Sequence, residues 1–211
     1  MPSEAIPERV DRQGAVLLRE HTTSNNWKLG IATLNSPKTL NALSLGMIRT
    51  LDVALRRWAS DPRVGCVILA GAGDKAFCAG GDVRNLREAI LAFHGDPPNA
   101  QVEAFFGEEY RLDYRIHTYP KPILAWGDGV VMGGGLGLMV GASHRVVTER
   151  SRIAMPEISI GLYPDVGASW FLRRLPGRTG LFLGLTAASL NAHDALILGL
   201  ADRFIKADDR D

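Results

Sequence analysis

The sequence predicts an α/β fold, and three observations carry that reading. Apolar runs such as "KLGIATLN" and "VGCVILAGAG" recur as strand candidates. Segments with helical apolar spacing lie between them. Two glycine-rich turns, "CAGGD" and "MGGGLG", each follow a predicted strand and precede a predicted helix. Strands alternating with helices throughout argue an α/β architecture.

Taken in order, "AVLLREH" and "KLGIATLN" read as two strands joined by the polar "TTSNNW", a hairpin-like start. Ser44 is the N-cap candidate for a helix from Leu45 to about Ala59, where Leu45, Ile48, Leu51, Leu55 and Trp58 form one apolar face. "SDP" stops it, and "VGCVILAGAG" follows as a strand apolar enough for burial on both sides. The loop "GAGDKAFCAGGD" leads into a helix beginning near Asp82. After the polar "FHGDPPNAQ" comes a second helix, "VEAFFGEEYRLDYRIHTY". "KPILAWGDGVV" is the next strand, and glycines open an apolar helix in "MGGGLGLMVGAS". "HRVVTERSRIAM" gives two short extended pieces, and the last third is helical before "KADDRD".

The 211 residues suit one large domain with an ample core, and no repeat or linker divides them. A net charge of +1, without a basic tail, argues against capture of nucleic acid or an anionic membrane. The isolated Cys66 and Cys78 read as thiols of a reducing compartment. The start resembles neither a signal nor a transit peptide, and the apolar stretch from Val130 to Ala142 is too short and glycine-rich to span a bilayer. The expectation is a cytoplasmic protein.

"MPEISIGLYPDVG" fixes two carboxylates, Glu157 and Asp165, among prolines, glycines and apolar side chains. Such acids are partly desolvated, which raises their pKa, and neighbouring carboxylates push each other's protonation apart. Equally, Glu157 could cap a turn after Pro156, and Asp165 could open the next helix as its N-cap. The glycine turns expose backbone N–H groups at a helix start, and two converging on one point would form an oxyanion hole. Losing one such donor costs roughly 3–4 kcal/mol of transition-state stabilisation. Each turn alone is equally a plain strand-to-helix connection.

Other constellations fail. The glycines miss the dinucleotide spacing, and no phosphate loop is present. The five histidines (His21, His94, His117, His144, His193) are scattered, so no metal site is expected. Ser159 and Ser169 lie outside a nucleophile elbow.

"NALS" (41–44), "KAFCAGGD" (75–82), "VVMGGGLGL" (130–138) and "AMPEISIGLYPDVG" (154–167), in that order, resemble the crotonase (enoyl-CoA hydratase/isomerase) superfamily. The branch they most resemble is that of 3-hydroxyisobutyryl-CoA hydrolases, from about Val16 to Ile205. The resemblance implies a crotonase-like fold of repeated ββα units with a shortened C-terminal helical region. It implies an N-terminal tail over 1–13, an acyl-CoA-binding domain over 14–205 and a C-terminal end over 206–211.

The same resemblance implies that the N–H groups of Gly81 and Gly134 polarise the thioester carbonyl. Glu157 would be the main catalytic carboxylate, as nucleophile or as base for water, with Asp165 as its partner. Hydratases of the superfamily carry a glutamate where Gly137 stands, so the two-glutamate hydration site is incomplete. Charge pattern alone makes Glu108, Glu109 and Asp113 a solvated helix face; the resemblance instead makes Glu109 a substrate contact. Ala42, Ala79, Gly80, Asp82 and Gly133 would line the path of the substrate, and Arg84 would stand near the nucleotide phosphates.

The implied activity is hydrolysis of a short 3-hydroxyacyl-CoA, as in valine breakdown, with coenzyme A part of the substrate and no separate cofactor. The alternatives are an enoyl-CoA hydratase or isomerase, and a truncated acyl-CoA-binding or assembly protein. Members of the branch are longer, so a homo-oligomer or association with a missing C-terminal segment is expected.

Overall fold

The computed structural model describes residues 9–10 and 14–209. Ten strands are present among them: β1 (Arg9–Val10), β2 (Val16–Thr22), β3 (Lys28–Leu34), β4 (Val64–Gly71), β5 (Ala76–Cys78), β6 (Ile123–Gly127), β7 (Val130–Met132), β8 (His144–Val147), β9 (Arg152–Ala154) and β10 (Arg203–Phe204). The helices are α1 (Leu45–Ser60), α2 (Val83–Leu91), α3 (Ala100–His117), α4 (Gly134–Gly141), α5 (Ala168–Phe171), α6 (Thr179–Thr186) and α7 (Ala192–Ile197).

The main sheet runs β1-β2-β3-β4-β6-β8-β10, and a small sheet runs β5-β7-β9. The first three strands of the main sheet pair antiparallel, and all later pairings are parallel. Successive segments therefore repeat one plan. A main-sheet strand is followed by a small-sheet strand and then a helix, as in β4-β5-α2 and β6-β7-α4. This is the ββα repetition expected of a crotonase-like fold.

Local chemistry explains the longest elements. The Ser44 hydroxyl accepts from Met47 N at 3.2 Å and starts α1, whose Ile48, Leu51, Leu55 and Trp58 are buried. Trp58 lies against β3 because residue 30 is glycine, where a Cβ would fall 2.6 Å from its ring. Its indole N–H donates to Glu20 Oε1 at 3.0 Å, satisfying the polar atom of a buried aromatic. The Asn99 side chain accepts from Gln101 N and Val102 N and starts α3.

The sequence reading needs several corrections. "KPILAWGDGVV" is two strands, broken at Asp128 and Gly129 so that β6 joins the main sheet and β7 the small one. The Asp128 carboxylate is held at this corner by Thr148 and Arg150. The loop before "CAGGD" contains β5, and the last third adds β10 beside its helices. The expected tail over 1–13 lies outside the described residues, except that Arg9–Val10 pair with β2. Of the end segment, 206–209 are described, with a 3-10 turn at Ala207–Asp209; residues 210–211 lie outside.

Candidate active site

The site is built where α3 crosses α4, and glycines decide how closely they approach. Gly134, Gly137 and Gly141 recur along α4, nearly one turn apart. A Cβ on Gly134 would overlap Oε1 of Glu109. One on Gly137 would lie 3.3 Å from Oδ1 of Asp113, and one on Gly141 would lie 3.2 Å from Cγ2 of Ile116. The glycine stripe thus draws one face of α3 against α4 and takes Glu109 and Asp113 out of water. Glu109 is only 2% exposed, so the solvated-face reading holds for neither Glu109 nor the carboxyl of Asp113. Glu108 alone behaves as a surface acid, paired with Arg49 at 2.7 Å.

The two glycine turns do come together. Gly80 and Gly133 both adopt positive φ, at 105° and 52°. A Cβ on Gly80 would stand 3.6 Å from Gly134 N and 3.2 Å from Met132 O, close approaches that favour glycine. Among the described residues, neither the Gly81 N–H nor the Gly134 N–H has a hydrogen-bond acceptor. Both are backbone neighbours of Glu109 Oε1, since a Cβ on Gly81 would lie 4.0 Å from that oxygen.

The "NALS" turn is stitched to the first glycine turn. Ala79 N donates to Leu40 O, Leu43 N to Gly80 O and Asp82 N to Leu43 O. Leu40 and Asn41 sit at positive φ, and the buried Asn41 side chain donates to Ala72 O and Ala76 O and accepts from Ser36 N. The turn that carries Ala42 is thereby fastened to Ala79 and Gly80 through Leu40 and Leu43. The Asp82 side chain accepts from Asn85 N and caps α2, the helix expected to begin near it. Arg84 is an exposed residue of α2.

Glu157 begins a 3-10 turn, Glu157–Ile160, directly after β9 and Pro156. Its carboxyl turns inward: it is 6% exposed, its Oε2 is buried without a partner, and Oε1 is 2.7 Å from a Cβ placed on Gly133. The expected apolar surroundings are partly wrong. Met155 is buried, but Ile158 and Ile160 face outward because a tight turn of about three residues sends its later side chains to solvent. Burial raises the Glu157 carboxyl to about 7, opposed by a hydrogen bond to its own backbone N–H and assisted by the charge of Asp165.

Asp165 is not a helix cap. Gly167 occupies the position before α5, and the Asp165 carboxylate accepts from the Tyr110 hydroxyl at 2.7 Å. Burial, then the charges of Asp165 and Glu157, push Glu109 up to about 8. Burial, then Glu109 and Asp165, hold Asp113 well above the ordinary carboxylate range. Glu109, Asp113, Glu157 and Asp165 form one electrostatic cluster. Tyr110 and Asp113 were not singled out from sequence. Spacing along α3 was the available signal: Asp113 lies four residues from Glu109 and three from Tyr110, and residues three and four apart share a helix face.

Beside the cluster lies a cavity of about 410 Å³ between α3, α4 and α5. Among the described residues no helix is long and apolar enough to cross a membrane, and no three His, Cys, Asp or Glu side chains are grouped to hold a metal ion.

Comparison with known proteins places this geometry in a family. A family model described as "Enoyl-CoA hydratase/isomerase" matches residues 29–211. The mitochondrial 3-hydroxyisobutyryl-CoA hydrolase of Danio rerio is 48% identical over 181 residues, which cover 86% of this chain and 46% of that protein. The protein of the same name from Homo sapiens is 46% identical over 179 residues, covering 85% and 45%. A crystal structure of an enoyl-CoA hydratase from Rhodobacter sphaeroides 2.4.1 superposes with a TM-score of 0.84 at 43% identity, covering 92% of this chain and 55% of that one. The chain spans less than half the length of the two hydrolases it matches. It belongs to the enoyl-CoA hydratase/isomerase (crotonase) family.

Proposed function

We propose that the chain carries the thioester-binding and catalytic part of a CoA hydrolase acting on a short 3-hydroxyacyl group. The observation that carries this reading is the approach of the two glycine turns, with the unpaired N–H groups of Gly81 and Gly134, to the buried Glu109 carboxyl. A thioester carbonyl taken up there develops negative charge on oxygen during attack, and two preorganised donors stabilise it. Ala42, Ala79 and Gly80 guide the pantetheine arm, and Gly133 leaves room for the Glu157 carboxyl.

Glu157 supplies the attack, either on the thioester carbon itself or by taking a proton from water. The carbon–sulfur bond breaks, CoA leaves as the thiol after gaining a proton, and a water oxygen ends in the free acid. A carboxyl near 7 is suited to this, since it exchanges protons readily at neutral pH. Asp165, fixed by Tyr110, orients the substrate hydroxyl or passes a proton.

The hydratase alternative needs a second acid projecting from residue 137. That residue is glycine, and Val166 fills the space beside it. Incubation with 3-hydroxyisobutyryl-CoA and with crotonyl-CoA, with a thiol reagent present, separates the readings. Thiol release from the first substrate supports hydrolysis; hydration of the second without release supports the alternative. Acyl-CoA binding with neither reaction marks a binding or assembly role.

A further inference from the structure

We propose that the outer face of the main sheet docks a second copy of this chain, the two sheets packing face to face about a two-fold axis. The inference is independent of the acyl-CoA reading above.

The pleat divides the central strands into two rows of side chains. Gly30 and Gly127 belong to the inner row, where they make room for Trp58 of α1 and Met139 of α4. The outer row carries Leu29 and Ile31 of β3, Cys66 and Ile68 of β4, and Leu124 of β6. Register aligns them: Leu29 pairs with Cys66, Ile31 with Ile68 and Ile68 with Leu124. All five are half-buried, and no outward position on these three strands is charged. The ionisable side chains of the row stand at its margins, Arg19 and His21 on β2, His144 on β8 and Arg203 on β10.

A sheet with one face in water alternates apolar and polar residues, whereas β4 is apolar on both faces, the pattern of a strand covered twice. The helices supply the inner cover. On the outer side, Ala70, Trp126 and Val146 form a small cluster apart from the main core, with Leu124 and Ile205 against it. Among the described residues, Leu29, Ile31 and Ile68 pack against neither cluster. Contiguous apolar surface of this kind marks an interaction site.

An identical face is the occupant that fits. A broad apolar centre without charge presents nothing that repels its own copy, and two sheets pack face to face about 10 Å apart. A two-fold dimer is the commonest closed assembly. Five strands about 4.8 Å apart, each with about six residues on the face, give a patch roughly 20 Å square. Two such patches remove on the order of 1,000 Å² of accessible surface, enough for a specific but reversible dimer.

The test is sedimentation velocity of the chain from about 1 to 100 µM, with Cys66 labelled by a small thiol reagent at each concentration. A dimer with a Kd of about 10 µM should form, and Cys66 labelling should slow about fourfold over that range as the face closes. The other thiol, Cys78, is fully buried and does not compete. Ile68→Lys should keep the wild-type circular dichroism, stay monomeric and label at the fast rate throughout. Leu124→Gln, a milder change in the same row, should weaken the dimer about tenfold and decides the matter if Ile68→Lys does not fold. Leu185→Lys, at an exposed position of α6, should leave the dimer intact. A wild-type chain that is monomeric at about 100 µM overturns the inference and leaves the face to a different partner. A dimer that survives both sheet substitutions, or one that Leu185→Lys dissolves, overturns it as well.

Discussion

Val166 fills the space that a side chain at residue 137 would need: a Cβ on Gly137 would stand 2.6 Å from Val166 Cβ and 2.9 Å from its Cγ2. Val166 is buried and held at φ 42°, in a region that a β-branched residue rarely adopts. Such strain persists only where the surroundings impose it. Here it lies between Gly167 and Asp165, whose carboxylate accepts from the Tyr110 hydroxyl.

Gly137→Glu should therefore destabilise the protein and not create a hydratase. Overpacking at this contact costs about 1–3 kcal/mol. Denaturant unfolding gives the loss directly, and a crotonyl-CoA hydration assay should remain at background. An unchanged midpoint would mean that Val166 yields freely.

Tyr110→Phe removes the hydroxyl that holds Asp165. A hydrogen bond to a charged group contributes about 1.5–3 kcal/mol, so kcat should fall roughly 10- to 100-fold with a smaller change in KM. Tyr110 is 37% exposed, so the melting temperature should change little. Steady-state kinetics beside a melting curve separate the two effects; equal kcat for both proteins would remove Asp165 positioning from the account.

The raised carboxyl of Glu109 has a consequence for stability. Its folded value is about 8 against an ordinary 4.5, so the folded state binds the proton more tightly than the unfolded state. Stability from this group is complete below about 4.5 and declines as pH rises toward 8. Glu109→Gln carries no such penalty. Relative to wild type it should gain more than about 1 kcal/mol between pH 5 and pH 8, measured by urea unfolding at both values. A pH-independent difference would contradict the burial of an ionisable Glu109.

Helix α1 was legible in the sequence because its cap and its apolar stripe are local signals that agree. The ββα plan was only half legible. The halves of "KPILAWGDGVV" are both apolar in sequence, so no alternation of apolar and polar residues marks the corner at Asp128. The glycine turns could be read as connections, but not their meeting, which depends on pairing between distant strands. Glu109 and Asp113 were the least legible from charge alone. Their burial is decided by Gly134 and Gly137 on another helix, and the resemblance that singled out Glu109 said nothing of Asp113 or Tyr110.

The most direct test of the account compares CoA release from 3-hydroxyisobutyryl-CoA by the wild-type chain and by Glu157→Gln, across pH 5 to 9. Release by the wild type should rise with pH through about 7, as the Glu157 carboxyl ionises. The variant should lose activity by about 100-fold or more at every pH. Wild-type release by Glu157→Gln, with the same pH profile, would contradict the central role given to this carboxylate.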